Sequence, residues 1–448
     1  MKKIYYCNPL SIPSAKNLRS FADPDLIFFE DRFYMFVSGA QVFISKDLIS
    51  WEYYHLEFPV KVIAPAITFF QGSFYLSGNG GIGLWKAKHP LGPWNYSGDI
   101  VDQSGNKVFW ADLMFFVEDG KFYCYHNSGK GIGTDGIFVT ELDPSFDLLR
   151  PKKETKLCFA YNPEHIWERW GEFNEHPDIA WIEAPYMLKY NNRYYLQYSA
   201  CGTEWKSYAV GVYSSDSPEG PFIYQKNSPV LRDKKGLLNG TGHHAIIKDI
   251  EGKIWCIYHV LFHNRDKWDR RLAIDPVKFE EDGSLVIDGP TDIPRNFYNP
   301  EEILGIPLSV NKEVKVSSFS DGYFPQYAVD NNVRTFWKAK DSSLPQWIEI
   351  DLLSSFYINS VRIIFAEFMT ESKISEGSWI FSISVSNDKR SYKKILSEVE
   401  TSSDIFFTDF LPVKSRWVFL EIYKTPEIPA GLCEFTVFGR QDNKMLNF

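Results

Sequence analysis

FWADLMFFVEDGKFYCYHN, residues 109–127, reads as an apolar strand, a tight polar turn at Asp119-Gly120 and a second, aromatic strand. That order is the signature of a β-hairpin closed by a short turn. Four other stretches repeat it: EDRFYMFVSG from Glu30, FQGSFYLSG from Phe70, YNNRYYLQYSA from Tyr190 and EGKIWCIYHV from Glu251. Each follows another apolar strand (PDLIFF, PAITFF, APYMLKY and HAIIKDI), and each precedes a more polar third segment. Aligned on Asp31, Gly72, Gly120, Asn192 and Gly252, the turns are 41, 48, 72 and 60 residues apart. Five such units, of roughly four strands each, predict a five-bladed β-propeller, because radial repetition hides the strand edges that free hairpins expose.

The whole chain agrees with an all-β globular protein. At 448 residues it is long enough for two or three domains. Apolar residues make up 44%, and its 25 prolines and 29 glycines form no low-complexity block. The 14 Trp, 25 Tyr and 36 Phe exceed what packing alone asks for and suit stacking on sugars or bases. A net charge of −9 with no basic cluster argues against a nucleic-acid partner. The six cysteines, at 7, 124, 158, 201, 256 and 433, lack metal-ligand spacing and read as buried free thiols. The opening MKKIYYCNPLSIP sustains no apolar run, and no segment is long enough to span a bilayer. The expectation is a cytoplasmic protein with no membrane partner, unless a leader has been removed.

Eight residues before Asp31 stands Asp23, and the same offset from Gly120 gives Asp112. Nine before Asn192 is Glu183; eight and nine before Gly252 are His244 and His243; eight before Gly72 is Ala64, which is chemically silent. In a propeller the innermost strands begin at one height around a channel, so these positions converge on one rim. Glycosidic hydrolysis requires two carboxylates, one a general acid and one a base or nucleophile. A third carboxylate can keep the acid protonated or orient it. Phe21, Trp110 and Trp181 each precede their carboxylate by two residues, as pocket walls or as packing between blades. The longest interval carries FAYNPEHIWERWGEFNEHPDIAW, residues 159–181, with Trp167 and Trp170. An insertion on that rim is expected to shape subsites and favour terminal sugars. Trp205 and His263 are further rim candidates.

With FADPDLI, WADLMFF, WIEAPYMLKYNNRYYLQYS, GTGHHAIIKDIEGKIWCIYH and RRLAIDPVKFEEDG in this order, residues 5–295 resemble glycoside hydrolase family 43. The resemblance implies single-displacement hydrolysis with inversion: Asp23 as general base, Glu183 as general acid and Asp112 tuning and orienting the acid. Phe21, Trp110, Trp181, Trp167 and Trp170 are expected to contact substrate by their positions; the resemblance adds His243, and Arg270 or Arg271, one of which strand alternation points inward. No cofactor is needed for the chemistry, although a channel calcium near His243 is implied as a structural ion. Substrates would be oligosaccharides ending in arabinofuranosyl, xylosyl or galactosyl/galactofuranosyl residues. A non-catalytic lectin on the same scaffold, or a phosphorylase, stays open; neither the sugar nor the oligomeric state can be read.

From about residue 296 the grammar changes, so residues 1–295 are expected to form the propeller and 296–312 a linker or docking segment. Residues 313–448 carry short strands and polar turns, expected for a β-sandwich of jelly-roll type. AVDNNVRTFW, QWIEIDL, INSVRI and EFTVFGR resemble the discoidin, or coagulation-factor type C, domain. The resemblance implies a structural calcium at Asp330 with Asn331, and sugar binding through Tyr323, Phe324 or Trp337, although Trp337 and Trp347 also suit a core. DLLSS stands where such domains commonly carry aspartate-leucine-glycine.

Overall fold

The computed structural model describes residues 3–13, 19–39, 41–129, 136–232, 236–262, 268–367, 377–426, 429–441 and 446–447. Among these there are three short 3-10 turns and no α-helix; everything else regular is strand. No helix among the described residues is long and apolar enough to cross a membrane.

Six antiparallel four-stranded sheets occur among the described residues, each with its strands in chain order, and five of them are the blades. Blade I holds Asp25–Phe29, Arg32–Val37, Gln41–Ser45 and Trp51–His55; blade II holds Ala66–Phe70, Ser73–Ser77, Leu84–Ala87 and Asn95–Gly98. Blade III holds Ala111–Glu118, Lys121–Asn127, Gly136–Leu142 and Lys156–Ala160. Blade IV holds Ile182–Tyr190, Arg193–Ala200, Ala209–Ser215 and Ile223–Tyr224; blade V holds Gly242–Lys248, Ile254–Leu261, Arg270–Phe279 and Leu285–Ile287. The first strand of each blade neighbours that of the next, and blade V returns to blade I, which closes the propeller.

The hairpin turns follow from their residues. Glu30-Asp31, Gln71-Gly72, Asp119-Gly120 and Asn191-Asn192 each place two consecutive residues at φ between 45° and 74°. That is the I′ geometry whose twist matches two paired strands. Aromatic rings then join neighbouring blades: Phe29 meets Phe74 at 4.9 Å, Phe70 meets Phe122 at 5.5 Å and Phe116 meets Tyr194 at 6.2 Å, all edge-on. Such pairs add about 0.5–1.5 kcal/mol each beyond the area they bury.

The chain divides into two compact units, and the division corrects the expected boundary at 295. Phe21–Leu261 with Leu272–Pro290 form the propeller unit; Met1–Ser20, Phe262–Arg271 and Thr291–Phe448 form the other. The first residues join the second unit because Tyr5–Tyr6 pair with Arg295–Asn296, and the buried Arg362 guanidinium donates to the Asn8 carbonyl at 2.6 Å. Residues 296–312 are not a bare linker. Asn299–Ile303 pairs with Arg295–Asn296, and Ile306–Pro307 pairs with the strand Gly431–Arg440.

The second unit is built on an eight-stranded sheet around one core that includes Trp337, Trp379, Ile348, Phe381, Val418 and Phe435. Two twenty-residue strands, Gln346–Phe365 and Ile405–Lys424, run side by side with a register break between Asp351 and Phe356. At that break Leu353 takes φ 69°, the left-handed conformation glycine usually supplies. The DLLSS turn therefore keeps its shape with a strained residue. Trp337 is fully buried, which removes it from the candidate sugar-binding residues.

Candidate active site

Each inner strand is entered through a left-handed residue. These are Asp23 (φ 56°), Ala64 (47°), Asp112 (49°), Ala184 (50°) and His243 (42°), the aligned positions except that Glu183 lies one residue ahead of Ala184. Register breaks coincide at Ala111/Met114, Glu183/Tyr186 and Gly242/Ala245. Bulges of this kind re-aim a side chain out of the ladder. A left-handed non-glycine residue costs about 1–2 kcal/mol, so five in one ring are held by their surroundings.

Three groups meet closely there: Asp112, Glu183 and His243 each bring one ligand atom within 4.8 Å of the others. His243 Nδ1 also lies 3.3 Å from Asp23 Oδ1, so the ring joins all four residues. Of the histidine pair, His243 faces the site. His244 is buried, hydrogen-bonded to Gln197 Oε1 through Nε2 at 2.9 Å, and burial drives its pKa down to about 3.

Glu183 is buried, and its pKa is raised well above the usual carboxylate range. Burial is the first cause, the Asp112 charge the second, and Asp23 adds less. Protonated Glu183 donates to Asp112, while Tyr208 Oη donates to Glu183 Oε1 at 2.5 Å and partly offsets the rise. Tyr208 reaches Glu183 because Gly242 lies beside its ring: a Cβ on Gly242 would stand 2.3 Å from a Tyr208 ring carbon.

Sequence reasoning missed the residues that brace this ring, although a simple signal marks them. Seven residues after each aligned turn come Ser38, Asn79, Asn127, Ser199 and His259, all polar. Ser38 donates to Asp23 Oδ2 and accepts the Ala64 N–H at 2.9 Å. Asn79 binds Asp112 twice, accepting its N–H at 2.6 Å and donating to Oδ1 at 2.8 Å. Ser199 accepts the His243 N–H at 2.9 Å. His259 Nδ1 lies 3.4 Å from Asp23 Oδ1, its Nε2 meets Thr203 Oγ1 at 2.9 Å, and Tyr208 stacks over it. Asn127 instead accepts from Gly129 N–H in its own loop. Each of the other four reaches from the end of one blade's second strand to the start of the following blade's first.

The peripheral candidates separate. Trp110 is half-buried and stacked on His126 at 3.9 Å; Trp181 and Trp170 lie 5.9 Å apart, with Trp205 edge-on to Trp170 at 5.9 Å. These three half-buried tryptophans form one aromatic cluster, and Trp181 stands two residues before Glu183 in the chain. Phe21 and Trp167 are corrections. Phe21 is buried against Phe43, and Trp167 sits in the blade IV core with its indole N–H bonded to Tyr224 Oη at 3.0 Å. Arg271 is also a correction as a substrate contact: it is buried between Asp269 and Asp404, which take its guanidinium. Arg270 stays half-buried, its guanidinium 5.9 Å from the Trp268 ring. His263 lies outside the described residues.

Comparison with known proteins agrees with this geometry. The model of the glycosyl hydrolases family 43 matches residues 17–285. This chain belongs to that family. The F5/8 type C domain matches residues 313–434, which carry most of the eight-stranded sheet of the second unit. Among family 43 structures, a thermostable family-43 glycoside hydrolase superposes with a TM-score of 0.56 at 26% identity, over 66% of this chain and 99% of its own. Beta-D-galactofuranosidase xynD of Aspergillus niger is 30% identical over 117 residues, 26% of this chain and 34% of that protein. A xylosidase/arabinosidase of Bacteroides ovatus is 35% identical over 106 residues, 23% of this chain and 30% of that protein. The chain thus spans about a third of the length of these curated relatives.

Asp112, Glu183 and His243 form a group able to hold a metal ion. As a calcium site it fits poorly. Calcium takes six to eight oxygens, whereas this group offers two carboxylates and one imidazole nitrogen. A bound cation would also hold Glu183 ionised.

Proposed function

We propose that this family 43 chain is an inverting, exo-acting glycoside hydrolase that removes terminal arabinofuranosyl, xylosyl or galactosyl/galactofuranosyl residues from oligosaccharides. One observation carries the reading: a buried Glu183, its pKa raised by burial and by Asp112, shares a ring with an Asp23 flanked by two imidazoles. Glu183 gives its proton to the glycosidic oxygen as that oxygen leaves the anomeric carbon. Asp23 takes a proton from the water that attacks the opposite face. One proton is lost by the acid and one is gained by the base, so solvent exchange resets the site. The imidazoles of His243 and His259 orient the Asp23 carboxylate without entering the proton count.

Exo action is supported by the cluster of Trp170 and Trp181 from the long insertion with Trp205 from the 201–208 loop, since Trp181 precedes the acid by two residues. The sugar classes are those in the relatives' names, and neither they nor the carboxylates choose among them. A panel of aryl arabinofuranosides, xylosides, galactosides and galactofuranosides tests the reading. Glu183→Gln is expected to lower kcat by about 10²–10⁴-fold, and proton NMR should find the inverted anomer first. Retention would overturn inversion; wild-type hydrolysis of nothing would leave the lectin reading.

In the second unit, Phe319, Tyr323 and Phe324 stand 42%, 36% and 42% exposed and suit stacking on a sugar ring. Calcium is supported at Asp330 rather than in the channel. Beside Asp330 lies buried Glu434, whose pKa burial pushes up to about 8, with the Asp330 charge adding to the rise. The half-buried Asp330 carboxyl, the buried Glu434 carboxyl and the carbonyls of the 330–335 loop match calcium's preference for oxygen. Calcium added to chelator-treated protein should raise Tm, and Asp330→Ala should abolish the rise; an unchanged wild-type Tm would dismiss the site. A reducing compartment suits six cysteines that form no disulfide, five of them buried.

A further inference from the structure

Blade II contributes no acid to the ring, since its aligned residue is Ala64. It contributes Asn79 instead. The two hydrogen bonds from Asn79 fix its amide in one orientation: Asp112 N–H can only donate, so it faces Oδ1, and the carboxylate accepts from Nδ2. The Asn79 backbone is fixed too, its N–H bonded to the Ile63 carbonyl at 2.8 Å. Gly78 makes that approach possible, because a Cβ there would lie 2.7 Å from the same carbonyl oxygen. Among the braces described, Asn79 alone grips both the backbone and the carboxylate of one catalytic-ring residue. It therefore fixes the left-handed Asp112 backbone and the direction in which its carboxylate points.

We propose that Asn79 is the positioning residue of this site, clamping Asp112 against Glu183 so that the acid stays protonated until the glycosidic oxygen takes its proton. The inference rests on the reading of Glu183 as general acid. Without the clamp, the Asp112 carboxylate can turn away, and Glu183 loses the charge that opposes its ionisation.

The test compares phenyl and 2,4-dinitrophenyl glycosides of whichever panel sugar the wild-type protein hydrolyses. Phenolate needs a proton as it leaves, whereas dinitrophenolate does not. Asn79→Ala is expected to lower kcat on the phenyl glycoside by about 10–100-fold with little change in KM, and to spare the dinitrophenyl glycoside. The alkaline limb of phenyl kcat/KM should move to lower pH. Adding Asp112→Asn should deepen the loss by no more than about twofold, because the two residues act as one unit. Equal losses on both glycosides, an unmoved limb or fully additive effects would overturn the proposal. Asn79→Ser, which keeps an acceptor for the Asp112 N–H, carries the same comparison should the alanine variant fail to fold. Wild-type protein inactive on the whole panel would instead remove the general-acid reading beneath it.

Discussion

Glu183 sits between two neighbours that pull in opposite directions. Asp112 opposes its ionisation, while the hydrogen bond from Tyr208 favours the ionised form. Tyr208 itself stays protonated, because burial and then the Glu183 charge raise its own pKa well above the usual phenol value. The alkaline limb of kcat/KM reports loss of the acid's proton. Tyr208→Phe should therefore shift that limb to higher pH and Asp112→Asn to lower pH, as pH profiles of the two variants would record. Limbs moving together would show that something other than this pair sets the acid. Asp23, Asp112, Glu183 and His243 were legible from one repeated offset. Tyr208 was not, because it comes from the loop between two blade IV strands, and only packing of blade V on blade IV sets its ring beside Gly242. Asn79 was legible in principle, seven residues beyond a turn already aligned.

At the scale of the strand, GTGHH acquires a physical reading. Gly240 needs its left-handed φ of 62°, and Gly242 needs the absence of a side chain, with the Tyr208 ring and Ser199 Oγ both inside the reach of a Cβ. Gly242→Ala should cost about 1–3 kcal/mol through overpacking, read as a lower Tm together with reduced activity as Tyr208 is displaced. Gly120→Asn is the contrast: the turn is left-handed but open, and asparagine tolerates it, so thermal denaturation should scarcely change. Strand number and hairpin position followed from alternation and turn chemistry. Which aromatics face the channel did not. Phe21 and Trp110 hold the same place relative to their aspartates, yet Phe21 turns into blade I packing while Trp110 stacks on a histidine. The left-handed residue at each strand entry breaks the alternation that would have predicted the facing.

Across the whole molecule, the change of grammar near residue 296 marked a second fold correctly but assigned the chain's first twenty residues to the wrong unit. Two-residue strands such as Tyr5–Tyr6 carry too little pattern to reveal a partner almost three hundred residues away. Arg271 misled for a related reason, since Asp404, which captures it, lies far along the chain. The bracing of the ring has a temporal side. Asp23 leaves the ribosome before every other ring residue, yet His243 and His259, which orient it, belong to the last blade made. Until that blade is made, a nascent chain holds Asp23 and Glu183 without the imidazoles that flank the first. On the proposed reading, a chain cut before His243 should be inert rather than partly active, as an assay of the truncated protein would record.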